Sequence, residues 1–173
     1  MQKYNSITES RSSLQEKIIV GVGDMMISST QNAVIVTYAL GSCIGLSAYD
    51  PLLRLGGLIH IMLPEATDGL SSQKNPYMFA ETGLPIFFDE LLKLGSKKFR
   101  LEIKIAGGAS LFNENKMFNI GERNYNYIRN YLSVNGYRLT SEAVGGTCSR
   151  TMATDINTGK VTIKIPGIGE VEL

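Results

Sequence analysis

The segment IGLSAYDPLLRLGGLIHIML, residues 44–63, decides the fold because it places two apolar β-type runs on either side of a turn signal. Asp50-Pro51 marks the turn, and two strands joined by a short connection pair antiparallel. Cys43 lies seven residues before Asp50, and His60 lies nine residues after Pro51. Residues at similar distances from a hairpin turn lie opposite each other, so the segment predicts that the Cys43 and His60 side chains can meet.

Outside this segment the chain alternates between strand and helix signals. Helical spacing covers residues 76–94, where Pro85 predicts a kink or a late helix start, and residues 121–135, which end before Gly136. Residues 65–75 are polar and predict a flexible surface loop directly after the histidine strand. This mixture predicts an α/β protein of the α+β type. Further β-type runs lie at residues 18–22, 33–38, 101–105, 137–144, 150–154 and 161–165, with a short final strand over 167–173.

Length and composition are typical of a single globular domain. The chain has 173 residues, of which 43% are hydrophobic and 19% are charged. We assign the polar residues 1–16 to a mobile tail and residues 17–173 to one domain. The net charge of +1 gives no attraction to nucleic acid. No apolar run is long enough to span a membrane, and the N-terminus lacks the apolar core of a signal peptide. We therefore expect a cytoplasmic protein without membrane insertion.

The small number of cysteine and histidine residues limits the possible chemistry. Cys43 and Cys148 are too few for a disulfide framework, and a single histidine does not complete a zinc site with them. We therefore expect no metal and no organic cofactor. Cys148 has no partner histidine, and we interpret it as structural. Residues 21–24 lack the third glycine of a dinucleotide fingerprint, which argues against nucleotide binding.

Cys43, His60 and Thr37 are the candidate catalytic residues. A thiolate can attack an acyl carbon, and an imidazole can lower the pKa of the thiol by ion pairing and later protonate the leaving group. Thr37, on the run that leads to Cys43, can offer an oxygen to the other imidazole nitrogen. The turn at Gly41-Ser42-Cys43 can direct main-chain amides at an oxyanion, which makes Ser42 a candidate substrate-binding residue.

The same residues also have a purely structural interpretation. A cysteine in an apolar run is usually a small buried side chain, and a single histidine on a strand is usually part of the core or the surface. No carboxylate is evident as a third member of a triad. The residues alone leave both interpretations open.

The order of several motifs is more specific than the Cys-His pair. These motifs are Ala39-Leu40-Gly41-Ser42-Cys43, Gly56-Gly57 through His60 to Met62-Leu63-Pro64, Lys104 to Ala109, Ile120-Gly121-Glu122-Arg123-Asn124, Gly145-Gly146 and Thr158-Gly159-Lys160-Val161. On these motifs, over residues 20–164, the chain resembles the CheD family of bacterial chemotaxis proteins.

The resemblance implies a fold and a function. It implies layered β-sheets flanked by helices, similar to the catalytic domain of cytotoxic necrotizing factor toxins. It implies that Thr37, Cys43 and His60 convert glutamines of methyl-accepting chemotaxis receptors to glutamate, with release of ammonia through a cysteine thioester. A CheC-type phosphatase is an implied partner. The alternatives are a binding module that regulates such a phosphatase with little catalysis of its own, and a different cysteine hydrolase.

Overall fold

Two five-stranded sheets form most of the computed structural model, which describes residues 15–67, 69–110 and 119–173. The first sheet contains, in spatial order, β1 (Glu16–Val20), β3 (Ala33–Leu40), β8 (Arg150–Asp155), β9 (Val161–Ile165) and β10 (Gly169–Glu172). The second contains β2 (Met25–Ser28), β5 (Leu55–Ile61), β4 (Ile44–Asp50), β6 (Glu102–Gly107) and β7 (Leu139–Val144). The helices are α1 (Gly69–Lys74), α2 (Ala80–Lys93) and α3 (Ile120–Val134). The predicted α+β class is confirmed.

The elements stack in three layers. One face of the second sheet packs against the first sheet, and its other face packs against α2 and α3. Successive side chains of a strand point to opposite faces. In β5, Ile59 and Ile61 therefore join the core under the helices, while Leu58 and His60 point toward the first sheet. The core between the sheets includes Val20, Ile35, Leu40, Leu58, Ala106, Met152 and Ile163.

The hairpin predicted from residues 44–63 is confirmed. β4 and β5 pair antiparallel, with Asp50 opposite Leu55 at the turn and Ile44 opposite Ile61 at the open end. Gly45 is the residue opposite His60. Cys43 directly precedes the last paired residue of β4, so it lies at the open end of the hairpin, two residues from the partner of His60.

Three segments differ from the sequence-based expectation. Residues 65–75, predicted as a loop, include the helix α1. α2 begins at Ala80 and continues through Pro85, so the late helix start is wrong. The missing N–H of Pro85 removes one helical hydrogen bond, and burial of Leu84, Phe87 and Phe88 on the same helix offsets that loss. β2 was not anticipated. Of the predicted tail, residues 1–14 lie outside the described residues, and Glu16 is the first residue of β1.

Candidate active site

A β-bulge in β3 positions the first candidate residue. Thr37 pairs with Met152 and Leu40 with Arg150, so three steps along β3 match two along β8. Ala39 adopts a left-handed conformation with φ of 57°, which is typical of the extra residue in a bulge. The bulge leaves the buried Thr37 side chain directed between the sheets and turns the chain toward Cys43.

The carbonyl groups of the turn at residues 41–43 are all held by donors from other elements. The main-chain N–H of Ala109 donates to Gly41 O at 2.7 Å, and that of Gly108 donates to Cys43 O at 2.8 Å. The side-chain amide of Asn124 donates to Ser42 O at 3.0 Å. By contrast, the main-chain N–H groups of Ser42 and Cys43 have no acceptor on another residue in the described part of the chain. The turn is therefore fixed through its acceptors, while neither of these two N–H groups donates to another described residue.

A hydrogen bond between the sheets joins Thr37 to His60. Thr37 Oγ1 lies 2.7 Å from His60 Nδ1, and it also lies 2.9 Å from the carbonyl oxygen of Val20. A hydroxyl has one proton to donate, and the Val20 carbonyl can only accept it. Thr37 Oγ1 must then accept from Nδ1–H, which leaves Nε2 of the neutral imidazole as a free acceptor.

The second imidazole nitrogen of His60 is buried. His60 is fully buried, and its Nε2 has no hydrogen-bond partner among the described residues. Burial lowers the pKa of His60 from 6.5 to about 4. At neutral pH the ring is therefore uncharged, with Nε2 able to take a proton. Orphaned polar atoms of this kind are uncommon in folded proteins and often belong to functional sites.

Cys43 shares the face of the hairpin on which His60 lies. Gly45 faces His60 across the pair, and residues two apart on a strand point to the same side. The thiol is half-buried and unpaired in a disulfide. Burial raises its pKa, an effect that its own main-chain N–H partly offsets. The pKa shifts of both groups oppose the expected thiolate–imidazolium ion pair. They favour a neutral thiol and a neutral imidazole at rest.

No cluster of three His, Cys, Asp or Glu side chains that could hold a metal ion occurs within residues 15–67, 69–110 and 119–173. Within the same residues, no helix has the length and apolar character required to cross a membrane.

Comparison with known proteins places this chain in a family. A family model described as CheD chemotactic sensory transduction matches residues 62–165. A protein of Solibacter usitatus named "Probable chemoreceptor glutamine deamidase CheD" is 45% identical over 153 residues, which cover 88% of this chain and 90% of that protein. The chain belongs to the CheD family. Proteins with the same name from Desulforamulus reducens and Pyrococcus abyssi are 42% and 41% identical, over 87% of this chain and 92% and 93% of theirs.

The match to the CheD family model begins at residue 62, after all three candidate catalytic residues. Their assignment in this CheD-family chain therefore depends on the local geometry. Thr37 and His60 are in contact, Cys43 lies at the end of the strand paired with that of His60, and Ser42 contributes a main-chain carbonyl to Asn124.

Sequence reasoning assigned no role to two buried polar residues beside the turn, Asn124 and Arg150. The Arg150 guanidinium donates to the carbonyls of Ala143, Gly145 and Cys148, and so holds the connection between β7 and β8. Burial lowers its pKa. The Cys148 side chain is exposed, and its structural role stays a prediction.

Asn124 carried a signal in the sequence. It occupies the buried face of α3 together with Gly121, Ile128 and Leu132. A polar residue at an apolar position of an amphipathic helix requires a buried partner. That requirement was visible before the structure, although the partner was not.

Proposed function

We propose that this protein is a chemoreceptor glutamine deamidase, which hydrolyses the side-chain amide of glutamines on methyl-accepting chemotaxis receptors. The observation that carries the proposal is the His60 ring, held by Thr37 at Nδ1 and without a partner at Nε2 among the described residues, on the hairpin face that it shares with Cys43. The names of the CheD relatives support the choice of substrate.

The first half of the reaction forms a thioester. His60 Nε2 takes the proton of the Cys43 thiol as the sulfur attacks the carbonyl carbon of the glutamine side chain. The carbonyl oxygen becomes an oxyanion, and the main-chain N–H groups of Ser42 and Cys43, which have no acceptor on another described residue, are the candidate donors to it. When the C–N bond breaks, the imidazolium returns the proton to nitrogen, and ammonia leaves.

The second half of the reaction releases the product. His60 removes a proton from water, which attacks the thioester carbon, and the C–S bond breaks. Cys43 regains its proton from the imidazolium, and glutamate remains on the receptor. Thr37 keeps Nδ1 protonated throughout, because its own proton is committed to the Val20 carbonyl.

We expect the receptor helix to dock through exposed apolar side chains that neighbour the candidate catalytic residues in the chain, such as Tyr38 and Met62. Tyr38 and Met62 follow Thr37 and His60 closely in the chain, and they are 41% and 39% exposed. Because the net charge is only +1, docking depends on shape and apolar contact and not on long-range attraction.

A CheC-type phosphatase is a second proposed partner, and the proposed location is the cytoplasm. We also propose that the sandwich of two sheets under a helix layer is related to the catalytic domain of cytotoxic necrotizing factor toxins.

The alternative of a purely regulatory binding module has less support. A binding module gains nothing from a buried imidazole nitrogen without a partner, which costs free energy in the folded state. A general base requires that nitrogen to be free.

The test is mass spectrometry of a purified cytoplasmic receptor fragment incubated with the protein. We expect particular glutamine residues to gain the mass difference between an amide and an acid, together with release of ammonia. Wild-type protein that binds the fragment without converting any glutamine would support the regulatory module and refute the deamidase.

A further inference from the structure

Asn124 connects the two segments that carry Cys43 and His60. Its side chain is fully buried, and its Nδ2 group donates to Ser42 O at 3.0 Å and to Met62 O at 2.9 Å. The first carbonyl belongs to the peptide unit that contains the Cys43 N–H. The second lies two residues after His60, just beyond the end of β5.

These two hydrogen bonds occur where the pairing of β4 and β5 stops. Ile44 and Ile61 form the last pair, and the next residues along the two chains are Cys43 and Met62. Asn124 bridges the two segments at this point by donating to the carbonyl oxygens of Ser42 and Met62. One amide group on α3 therefore holds the end of the nucleophile turn against the end of the histidine strand.

The orientation of the amide follows from its partners. Two carbonyl oxygens can accept only from the –NH₂ group, so Nδ2 must face them. Asn124 Oδ1 is buried without a partner in the described part of the chain. The residue thus forgoes one hydrogen bond in order to make the two that join the segments.

Other contacts bring α3 close to the same turn. A side chain at Gly121 would lie 2.6 Å from the Gly108 carbonyl oxygen, so the first turn of α3 packs directly on the backbone whose N–H binds Cys43 O. Asn124 is one turn further along this helix. α3 thereby acts as a rigid support for the donor.

We propose that Asn124 is a positioning residue, which fixes the Ser42–Cys43 peptide relative to the imidazole of His60. This inference rests on the proposed deamidase function. Without the bridge, the Cys43 thiol and its N–H are free to shift relative to Nε2, and a displacement of about 1 Å in a reacting group costs on the order of a hundredfold in rate.

The variants to compare are Asn124→Ala, Asn124→Asp and the control Asn135→Asp. Asn135 lies at the end of the same helix, is exposed, and donates to one carbonyl at 2.8 Å. For Asn124→Ala we expect kcat on the receptor fragment to fall on the order of a hundredfold while KM changes little, because the docking surface is intact. Asn135→Asp should match the wild type.

Asn124→Asp adds a pH readout that a merely structural role would not give. A protonated carboxyl donates one hydrogen bond, whereas a carboxylate donates none and repels both carbonyl oxygens. Burial raises the pKa of such a group. Circular dichroism confirms folding at each pH. Within the folded range, kcat of this variant should fall as pH rises through that pKa, a step absent from the wild type and from Asn124→Ala.

Alkylation of Cys43 by iodoacetamide, in a Cys148→Ser background, tests the positioning without any receptor. We expect slower alkylation in folded Asn124→Ala than in the parent protein, because the base is no longer held beside the thiol. Unchanged alkylation and unchanged kcat in this variant would overturn the inference while leaving the deamidase standing. Slower alkylation combined with a wild-type protein that deamidates no receptor would refute the proposed function and keep the positioning role.

Discussion

Each end of the β4–β5 hairpin holds a buried polar side chain, and the two side chains differ in how many of their hydrogen-bonding atoms have partners. At the turn, Asp50 accepts from the Arg100 guanidinium at 2.7 Å and from the main-chain N–H of Leu52 and Leu53. At the open end, His60 makes one side-chain hydrogen bond, to Thr37, and its Nε2 has no partner in the described residues. Both side chains are fully buried.

The pKa shifts express this difference. Burial would raise the pKa of Asp50, but the Arg100 guanidinium and the two amides outweigh it and lower the pKa. For His60 burial acts without compensation and lowers the pKa to about 4. A buried side chain whose hydrogen-bonding atoms all have partners stabilises the fold. A buried side chain with one unpaired atom retains a site for a reacting proton. We therefore interpret the turn end as structural, and we propose that the open end carries the reaction.

The largest expected effect comes from removing the candidate nucleophile at the open end of the hairpin. Cys43→Ala should reduce deamidation at least roughly a thousandfold, because the covalent route disappears. The half-buried thiol makes only a small contribution to packing, so thermal unfolding should change little.

Cys148→Ala is the matched control, since Cys148 is exposed, and it should keep most of the activity. Full activity in Cys43→Ala together with an inactive Cys148→Ala would reverse the assignment of the nucleophile.

The second effect concerns the turn end. Arg100→Met leaves the buried Asp50 carboxylate without its cation, which should lower the free energy of unfolding near neutral pH. Activity per folded molecule should stay close to that of the wild type. Urea unfolding and deamidation assays on the same sample measure both quantities.

Arg54→Met is the control for this substitution, because Arg54 is exposed and makes one long contact, at 3.5 Å, with Asn157. Equal destabilisation by the two variants would mean that the ion pair at the turn does not distinguish the structural end.

The third prediction concerns the protonation of His60 at the open end as the pH is lowered. The pKa of His60 is about 4 in the folded state and 6.5 as its ordinary value, so the unfolded chain binds more protons between these values. Stability should then fall as pH falls through this window, by roughly 2 kcal/mol between pH 6.5 and about pH 4.5. His60 is the only histidine, so His60→Gln should remove this slope.

The measurement is urea unfolding at several pH values across the window. Asp50, whose pKa is lowered, loses its contribution only at more acidic pH. A parallel pH dependence in the wild type and His60→Gln would show that the imidazole is not held neutral by burial.

Local patterns predicted most of the elements but not how they meet. The antiparallel hairpin of β4 and β5 and the helix α3 depend on residues near each other in sequence, and both are present. β2 has four residues and pairs with β5 across some thirty positions, so its short run gave no usable signal. The stacking of the two sheets is equally non-local.

The same distinction between local and non-local features applies to the candidate site. Thr37 was expected to reach the second imidazole nitrogen, and the two atoms are in contact at 2.7 Å. The expected ion pair with Cys43 does not agree with the pKa shifts, because the burial that opposes it comes from a sheet whose position the sequence does not state. Asn124 was missed because its two acceptors come from distant segments of the chain.

The smallest expected effect tests whether the hydrogen bond between Thr37 and His60 Nδ1 matters for catalysis. Thr37→Ala removes the acceptor at Nδ1 and the bond to Val20, and we expect deamidation to fall by roughly tenfold to thirtyfold, the value of one orienting hydrogen bond. Thr37→Ser retains the hydroxyl and should keep more activity. Without the oxygen of residue 37, the neutral ring can place its proton on either nitrogen, so part of the population presents Nε2–H and cannot act as a base. The loss should therefore appear mainly in kcat and not in KM. Deamidation rates of the three proteins on one receptor fragment measure it, with circular dichroism to confirm folding. Wild-type kcat in Thr37→Ala would show that another group holds Nδ1, and the catalytic set would reduce to Cys43 and His60.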